Sequence, residues 1–338
     1  MKSETVLPGR LLHADEPDCP FIVYSDEFLG VLGTDPHLDK VIDTDAHEGP
    51  VYVRRQNTLY FTTVPKNVSV PSPGYKTVAI SKVDFNRTPI QVSEVRQPSN
   101  MANGMTLDRE GHLLICEQGT KSSFARISRM NLDTGKVETV TDQWFGLRFN
   151  SPNDIVVKSD GTIWFTDPSY GFLQSFKPEP LVGDFVYRYD PRNGAISVVA
   201  DSFNKPNGLA FSPDESILYI NDSAAIQTPG SYFVNLPHHI RAFDLKDQAH
   251  LVNDRLFAVV TPGIPDGLKV DSAGRVYSSS ADGLKVYSVS GDLIGAILVY
   301  NVANFAFGGP ENDIIYILND SAIYAAYIAA KGAISQPA

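Results

Sequence analysis

Ser151-Pro-Asn-Asp-Ile-Val-Val-Lys-Ser-Asp-Gly161-Thr-Ile-Trp-Phe-Thr-Asp-Pro-Ser-Tyr-Gly171 is the stretch whose reading decides the fold. A polar Asn153-Asp154 pair opens an apolar alternation at Ile155 and Val157. Ser159-Asp160-Gly161 then supplies a tight turn, and Ile163-Trp164-Phe165-Thr166 returns as a second strand that stops at Asp167-Pro168. The unit is a β-hairpin with polar residues at its mouth, and it recurs along the chain. Glu48-Gly-Pro leads to Leu59-Tyr60-Phe61, Asn103-Gly-Met to Leu113-Leu114-Ile115, and Asn207-Gly-Leu to Leu218-Tyr219-Ile220. Asp266-Gly-Leu leads to Val276-Tyr277, and Asn304-Phe-Ala-Phe-Gly-Gly to Ile315-Tyr316-Ile317.

Copies at intervals of about 50 residues, the last one shortened, match the requirement of four-stranded propeller blades. An all-β sandwich with similar turns is the alternative, but it needs no polar opener at a fixed period. The spacing therefore predicts an all-β chain, a six-bladed β-propeller that forms a single domain over residues 1–338, with 1–20 irregular. Phe21–Tyr24 and Phe28–Leu32 read as strands that precede the first opener. The last blade is one outer strand short, so the N-terminal segment is expected to supply it and close the ring. Two long insertions stand out, the Pro-rich 65–75 and the stretch 224–237, which reads as a wall or lid of the site, with a passive surface excursion as the alternative.

Composition narrows the function. Of 338 residues, 43% are hydrophobic, with 15 Tyr and 18 Phe suited to strands packed face to face. A net charge of −11 repels phosphate backbones and anionic lipid surfaces, so neither nucleic acid nor membrane is an expected partner. Two cysteines, Cys19 and Cys116, and the lack of a secretory leader pattern lead to the expectation of a cytoplasmic protein with free thiols. Nucleophile-elbow, zinc-helix, paired-cysteine and phosphate-loop signatures are all missing. One constellation is left. Equivalent blade positions point at the central axis, so Glu48, Asn153, Asn207 and Asp266 should converge at one mouth of the tunnel. Two carboxylates and two amide oxygens are hard donors suited to one divalent cation such as Ca²⁺, Mg²⁺ or Mn²⁺. Taken singly, an Asn or Asp before Gly is ordinarily a turn residue bonding its own backbone. Tyr170 and Asp222 are further candidates for lining the pocket, with a turn role as the alternative.

These motifs resemble the family that joins senescence marker protein 30, gluconolactonases and related lactone hydrolases. Glu48-Gly-Pro-Val-Tyr looks like its metal-ligand motif, and Ser151-Pro-Asn-Asp with Phe165-Thr-Asp-Pro-Ser-Tyr-Gly171 is similar to its gluconolactonase signature. Lys205-Pro-Asn-Gly, Ile264-Pro-Asp-Gly and Phe307-Gly-Gly309 extend the likeness. The resemblance implies a six-bladed propeller and a metal held by Glu48, Asn207 and Asp266, with Asp266 also the proton acceptor and Asn153 facing metal and substrate. The ion it implies is Ca²⁺ first, with Mg²⁺, Mn²⁺ or Zn²⁺ as alternatives. Asn103 and Glu117 look like pocket positions of a bacterial and fungal lactonase branch. Ser151 stands where animal members carry an arginine, which implies a pocket less suited to sugar acids. The activity implied is metal-dependent hydrolysis of a small-molecule lactone to its hydroxy acid. The alternatives are a phosphotriester-cleaving propeller and a non-catalytic propeller in which the ion is structural.

Overall fold

The computed structural model describes residues 9–12, 18–67 and 76–333. Six antiparallel sheets form a β-propeller, and each blade runs from its innermost strand outward. Blade 1 comprises Ala46–Val53, Thr58–Thr63, Ile80–Asp84 and Val92–Arg96. Blade 2 comprises Ala102–Leu107, Leu113–Glu117, Arg126–Met130 and Val137–Thr141. Blade 3 contains the decisive hairpin, Ile155–Val157 and Ile163–Asp167, followed by Phe185–Asp190 and Ala195–Ala200. Ile155 pairs with Phe165 and Val157 with Ile163, and Gly161 turns at φ 84°, a conformation that favours glycine. Blade 4 begins at Pro206–Phe211, blade 5 at Leu268–Val270 and blade 6 at Asn304–Gly308. Alternating residues of neighbouring sheets interdigitate between the blades. Phe165 and Tyr187 of blade 3 face Leu114 and Cys116 of blade 2, while Trp164 and Val186 face Leu209 and Leu218 of blade 4. Both cysteines are buried and free.

Ring closure comes from the N-terminal side, as expected, but from a different stretch. His37–Asp43 is the fourth strand of blade 6 and pairs with Ala322–Tyr327. Phe21–Val23 instead extends blade 5, pairing with Leu293–Leu298, and Arg10–Leu11 adds to it, so the N-terminal stretch is not wholly irregular. Phe28–Leu32 is not a strand. It lies in a helix, Glu27–Leu32, whose Phe28, Val31 and Leu32 are buried at helical spacing on one side, and Gly33 at φ 80° ends it. Part of the Pro-rich insertion, 68–75, lies outside the described residues, as do 1–8 and 13–17 of the N-terminal stretch expected to be irregular. Lys66–Asn67 and Lys76–Thr77 pair as a small ribbon. No helix among the described residues is long and apolar enough to cross a membrane.

Candidate functional site

The polar openers sit where the innermost strands begin, and local backbone geometry aims them. Register shifts fall between Glu48 and Val51, between Ala102 and Met105, and between Pro206 and Leu209. Such a bulge turns a side chain out of the pleat toward the axis. The glycine after an opener then lets the next blade approach. A Cβ on Gly104 would lie 2.4 Å from the Asn153 carbonyl oxygen, and one on Gly208 would lie 2.2 Å from that of Asp266. In place of that clash, Gly104 N–H donates to the Asn153 carbonyl at 2.7 Å and Gly208 N–H to the Asp266 carbonyl at 3.2 Å. The openers are thus locked blade to blade around the axis.

Glu48, Asn103, Asn153, Tyr170, Asn207 and Asp266 line one cavity of about 400 Å³ at this mouth. Glu48, Asn153 and Asn207 are buried, and Asp266 keeps an edge open. Glu48 Oε2 accepts from Asn304 Nδ2 at 2.7 Å and from Gly49 N–H at 3.1 Å. Asn103 Nδ2 donates to the Asn153 carbonyl at 3.2 Å. The Tyr170 hydroxyl donates to the Ser223 carbonyl at 3.2 Å, which pins the floor of the 224–237 insertion. Ile226, Gln227, Thr228 and Pro229 of that insertion form a wall of the cavity.

Two further residues of the cavity were missed in the sequence. His47 lines it with Asp320, and its Nδ1 lies 2.6 Å from Asp320 Oδ1. Both had a signal. His47 is the immediate neighbour of Glu48, and Asn319-Asp320-Ser321 repeats Asn221-Asp222-Ser223 at the exit of a second strand.

Three expected lining residues are used elsewhere. Asp222 Oδ1 and Oδ2 accept from the backbone N–H groups of Lys205 and Asn204, at 3.0 and 2.9 Å, so its carboxylate holds the strand entry of blade 4. Glu117 is buried under Arg96, Arg126 and Ser128, whose nearest contacts are 2.6–2.7 Å, and those donors hold it below the usual carboxylate range against the pull of burial. Ser151 is buried, and its Oγ accepts from Gly171 N–H at 2.8 Å rather than facing the central cavity. In each case the polar group satisfies a buried partner, a demand that a sequence pattern does not display.

The cavity gathers buried carboxylates. Burial foremost, then the charge of Asp266, raises Glu48 to about 8. Asp266 is likewise raised, to about 6, chiefly by burial, while the charge of His47 and the Asn207 amide work the other way. For His47, burial is the largest influence and would lower it. The hydrogen bond to Asp320 and the surrounding carboxylates together outweigh burial and lift it to about 9. Two desolvated carboxylates repel each other, and a dication between them would relieve that repulsion. Asn153 Oδ1 is buried without a hydrogen-bond partner, and so is Asp154 Oδ2. A buried orphan amide oxygen beside two strained carboxylates fits a hard divalent ion. A separate cluster, Asp108, Glu110 and His112, has ligand atoms close enough to share a metal. It lies in a hairpin turn of blade 2, where Asp108 Oδ1 accepts from the Glu110 and His112 N–H groups and Arg129 covers its other oxygen.

Residues 46–320 match the family model described as the SMP-30/gluconolactonase/LRE-like region. The chain is 29% identical to lactonohydrolase oryL of Aspergillus oryzae, over 94% of this chain and 77% of that protein. It is 28% identical to a gluconolactonase of Zymomonas mobilis, over 78% of this chain and 75% of that one. A solved gluconolactonase from Xanthomonas campestris superposes with a TM-score of 0.75 at 30% identity, covering 97% of this chain and 99% of its own.

Proposed function

The chain belongs to the SMP-30/gluconolactonase/LRE-like family, and on that premise we propose that it hydrolyses a lactone to the corresponding hydroxy acid with the help of one divalent cation. The observation that carries the reading is the convergence of Glu48, Asn153, Asn207 and Asp266 on one cavity, with Asn153 Oδ1 left without a partner. The names of the lactonohydrolase and gluconolactonase relatives support the reaction class. Glu48, Asn153, Asn207 and Asp266 would hold the ion, with Ca²⁺ favoured by the all-oxygen donor set and Mg²⁺, Mn²⁺ or Zn²⁺ as alternatives. Such an ion supplies Lewis-acid polarisation of an ester carbonyl and a lowered pKa for water.

The chain's own residues account for the remaining work. Asp266, with its open edge, takes the proton of the attacking water. Glu48 stays fixed by Asn304 and Gly49 and contributes charge without moving a proton. His47, cationic beside Asp320, limits the negative charge that the cavity gathers. Ile226–Pro229 and Tyr170 exclude bulk water on one side and bound the space for the lactone ring. Asn103 lies within the cavity and is available to the substrate, whereas Ser151, Glu117 and Asp222 act through the walls they brace.

Acid release in a pH-stat from a panel of γ-, δ- and aldonolactones, with and without Ca²⁺, Mg²⁺, Mn²⁺ and Zn²⁺, tests the reading. Turnover that disappears in EDTA and returns with one of these ions is expected. Full activity after exhaustive chelation, or release only from a phosphotriester, would sink it.

A further inference from the structure

A second cavity opens on the same face of the ring, between blades 2 and 3, with a volume of about 290 Å³. It shares no lining residue with the central one. The segment Ser169–Leu181 is the partition. Tyr170, Gln174 and Phe176 face the central cavity, while Ser169, Phe172 and Lys177 face the second. We propose that this second cavity is a binding site for an organic monocarboxylate with an apolar body, anchored by the ammonium of Lys177. Of the residues named for hydrolysis only Ser151, which braces the wall between the two cavities, lines it, and none of the four that would hold the cation does, so the binding stands or falls independently of that activity.

Lys177 carries the argument. The residue is only 8% exposed, yet its ammonium makes no hydrogen bond or ion pair among the described residues. A buried cation is ordinarily paired, because its desolvation is otherwise uncompensated. Asp167 is the nearby carboxylate, but its oxygens are occupied by the N–H groups of Asn150 and Ser151, at 2.9 and 2.7 Å. Burial accordingly pushes Lys177 down to about 8, with Asp167 only partly opposing it. An incoming carboxylate would complete the pair that the fold leaves open.

The rest of the lining sets the class of ligand. Phe124, Phe172 and Leu181 are 63%, 44% and 68% exposed at the rim, a group of large apolar side chains left to water around one opening. Arg148 stacks 4.1 Å over the Phe124 ring and pairs with Asp142, so it stiffens the rim while its charge is already matched. Glu179 is the one carboxylate of the lining. With Arg148 paired to Asp142, the exposed Lys121 and the buried Lys177 against Glu179 leave a net single positive charge, which favours one negative charge over a phosphate dianion, and the apolar rim favours a hydrocarbon body over a hydrated ion.

Isothermal titration of the full-length protein with 4-phenylbutyrate tests the proposal, in EDTA so that no ion in the central cavity competes for the carboxylate. Saturable one-to-one binding is expected, with the neutral 4-phenylbutanol and inorganic phosphate each weaker. Lys177→Met keeps the aliphatic stem and should loosen binding roughly tenfold to a hundredfold, the usual loss for a hydrogen bond to a charged group. Leu181→Glu, at an exposed rim position that does not threaten folding, should loosen it as well, and Asp266→Asn should leave it unchanged. Absence of saturable heat, equal affinity for phosphate, or unchanged binding in both Lys177→Met and Leu181→Glu would overturn the proposal. A loss confined to Asp266→Asn would place the ligand in the central cavity and overturn it equally.

Discussion

Glu48 and Asp266 look alike on paper, yet their surroundings differ. Glu48 is buried, with one oxygen already committed to Asn304 and Gly49, so it can hold charge but has little room to exchange a proton with water. Asp266 keeps an open edge on the cavity. Glu48→Gln should therefore weaken cation affinity and recover much of its rate when the cation is raised. Asp266→Asn should regain its melting temperature at saturating cation by mass action while its rate stays down by about 10²- to 10⁴-fold, the usual cost of a lost general base. A metal titration of both variants, followed by thermal shift and initial rate, separates the two; near wild-type turnover of Asp266→Asn would make it a ligand only and turn attention to the partnerless oxygen of Asp154. The constellation was legible because each member opens a repeat. His47 and Asp320 were not read, since their meaning lies in a contact between residues 273 positions apart.

The recurring Asn-Gly and Asp-Gly pairs look like turn chemistry in the sequence, but in the fold they are the joints between blades. Gly208 shows why: a Cβ there would stand 2.2 Å from the Asp266 carbonyl oxygen, which is backbone and cannot swing aside. Gly208→Ala should cost about 1–3 kcal/mol of stability by overpacking, and it should also loosen cation binding because it displaces Asp266. Gly30→Ala is the matched control, with nothing within 4 Å of its Cβ inside a helix, and should be neutral or stabilising by up to about 1 kcal/mol. Equal melting temperatures and cation affinities for the two variants would remove the joint from the account. Blade 3 offers a second test at its outer hairpin, where the hydrogen bonds from Arg192 hold Asp190 down at about 2. A depressed carboxyl stabilises the fold above its unfolded pKa and stops doing so as pH falls through the folded value. The melting-temperature deficit of Asp190→Asn should therefore be present at pH 7 and shrink as pH approaches about 2; a deficit that grows on acidification would contradict the pairing. The effect is small because Arg192 is largely solvated.

At the scale of the whole ring, the repeat period gave the blade number and the shortage of one strand, but it could not say which N-terminal stretch fills the gap. Phe21–Tyr24 and Phe28–Leu32 are the more apolar runs, the feature that marks a buried strand in a sequence. The strand that closes the ring, His37–Asp43, carries four charged or titratable side chains in seven residues, as an outer edge exposed on one side can. Phe28, Val31 and Leu32 instead pack as a short helix against blade 5, where Gly295 leaves space for the Phe28 ring. Truncations should follow this division of labour. Removing 1–12 takes only Gly9–Leu12 of the described residues, including the exposed Arg10–Asp26 pair, and should move the melting temperature by no more than a few degrees. Removing 1–44 leaves Ala322–Tyr327 as an unpaired edge of blade 6, an invitation to pair with another chain, and should yield aggregate. Loss of the helix packing alone is imitated by Phe28→Ala in the full chain, which should cost about 3–5 kcal/mol but leave a monomer in size-exclusion chromatography, because every edge of the ring is still covered. If the 1–44 deletion instead gave a soluble monomer that melts cooperatively, the ring would not depend on its N-terminal strand, and closure would have to be sought in the contacts between blades 1 and 6 around Tyr52 and Tyr316.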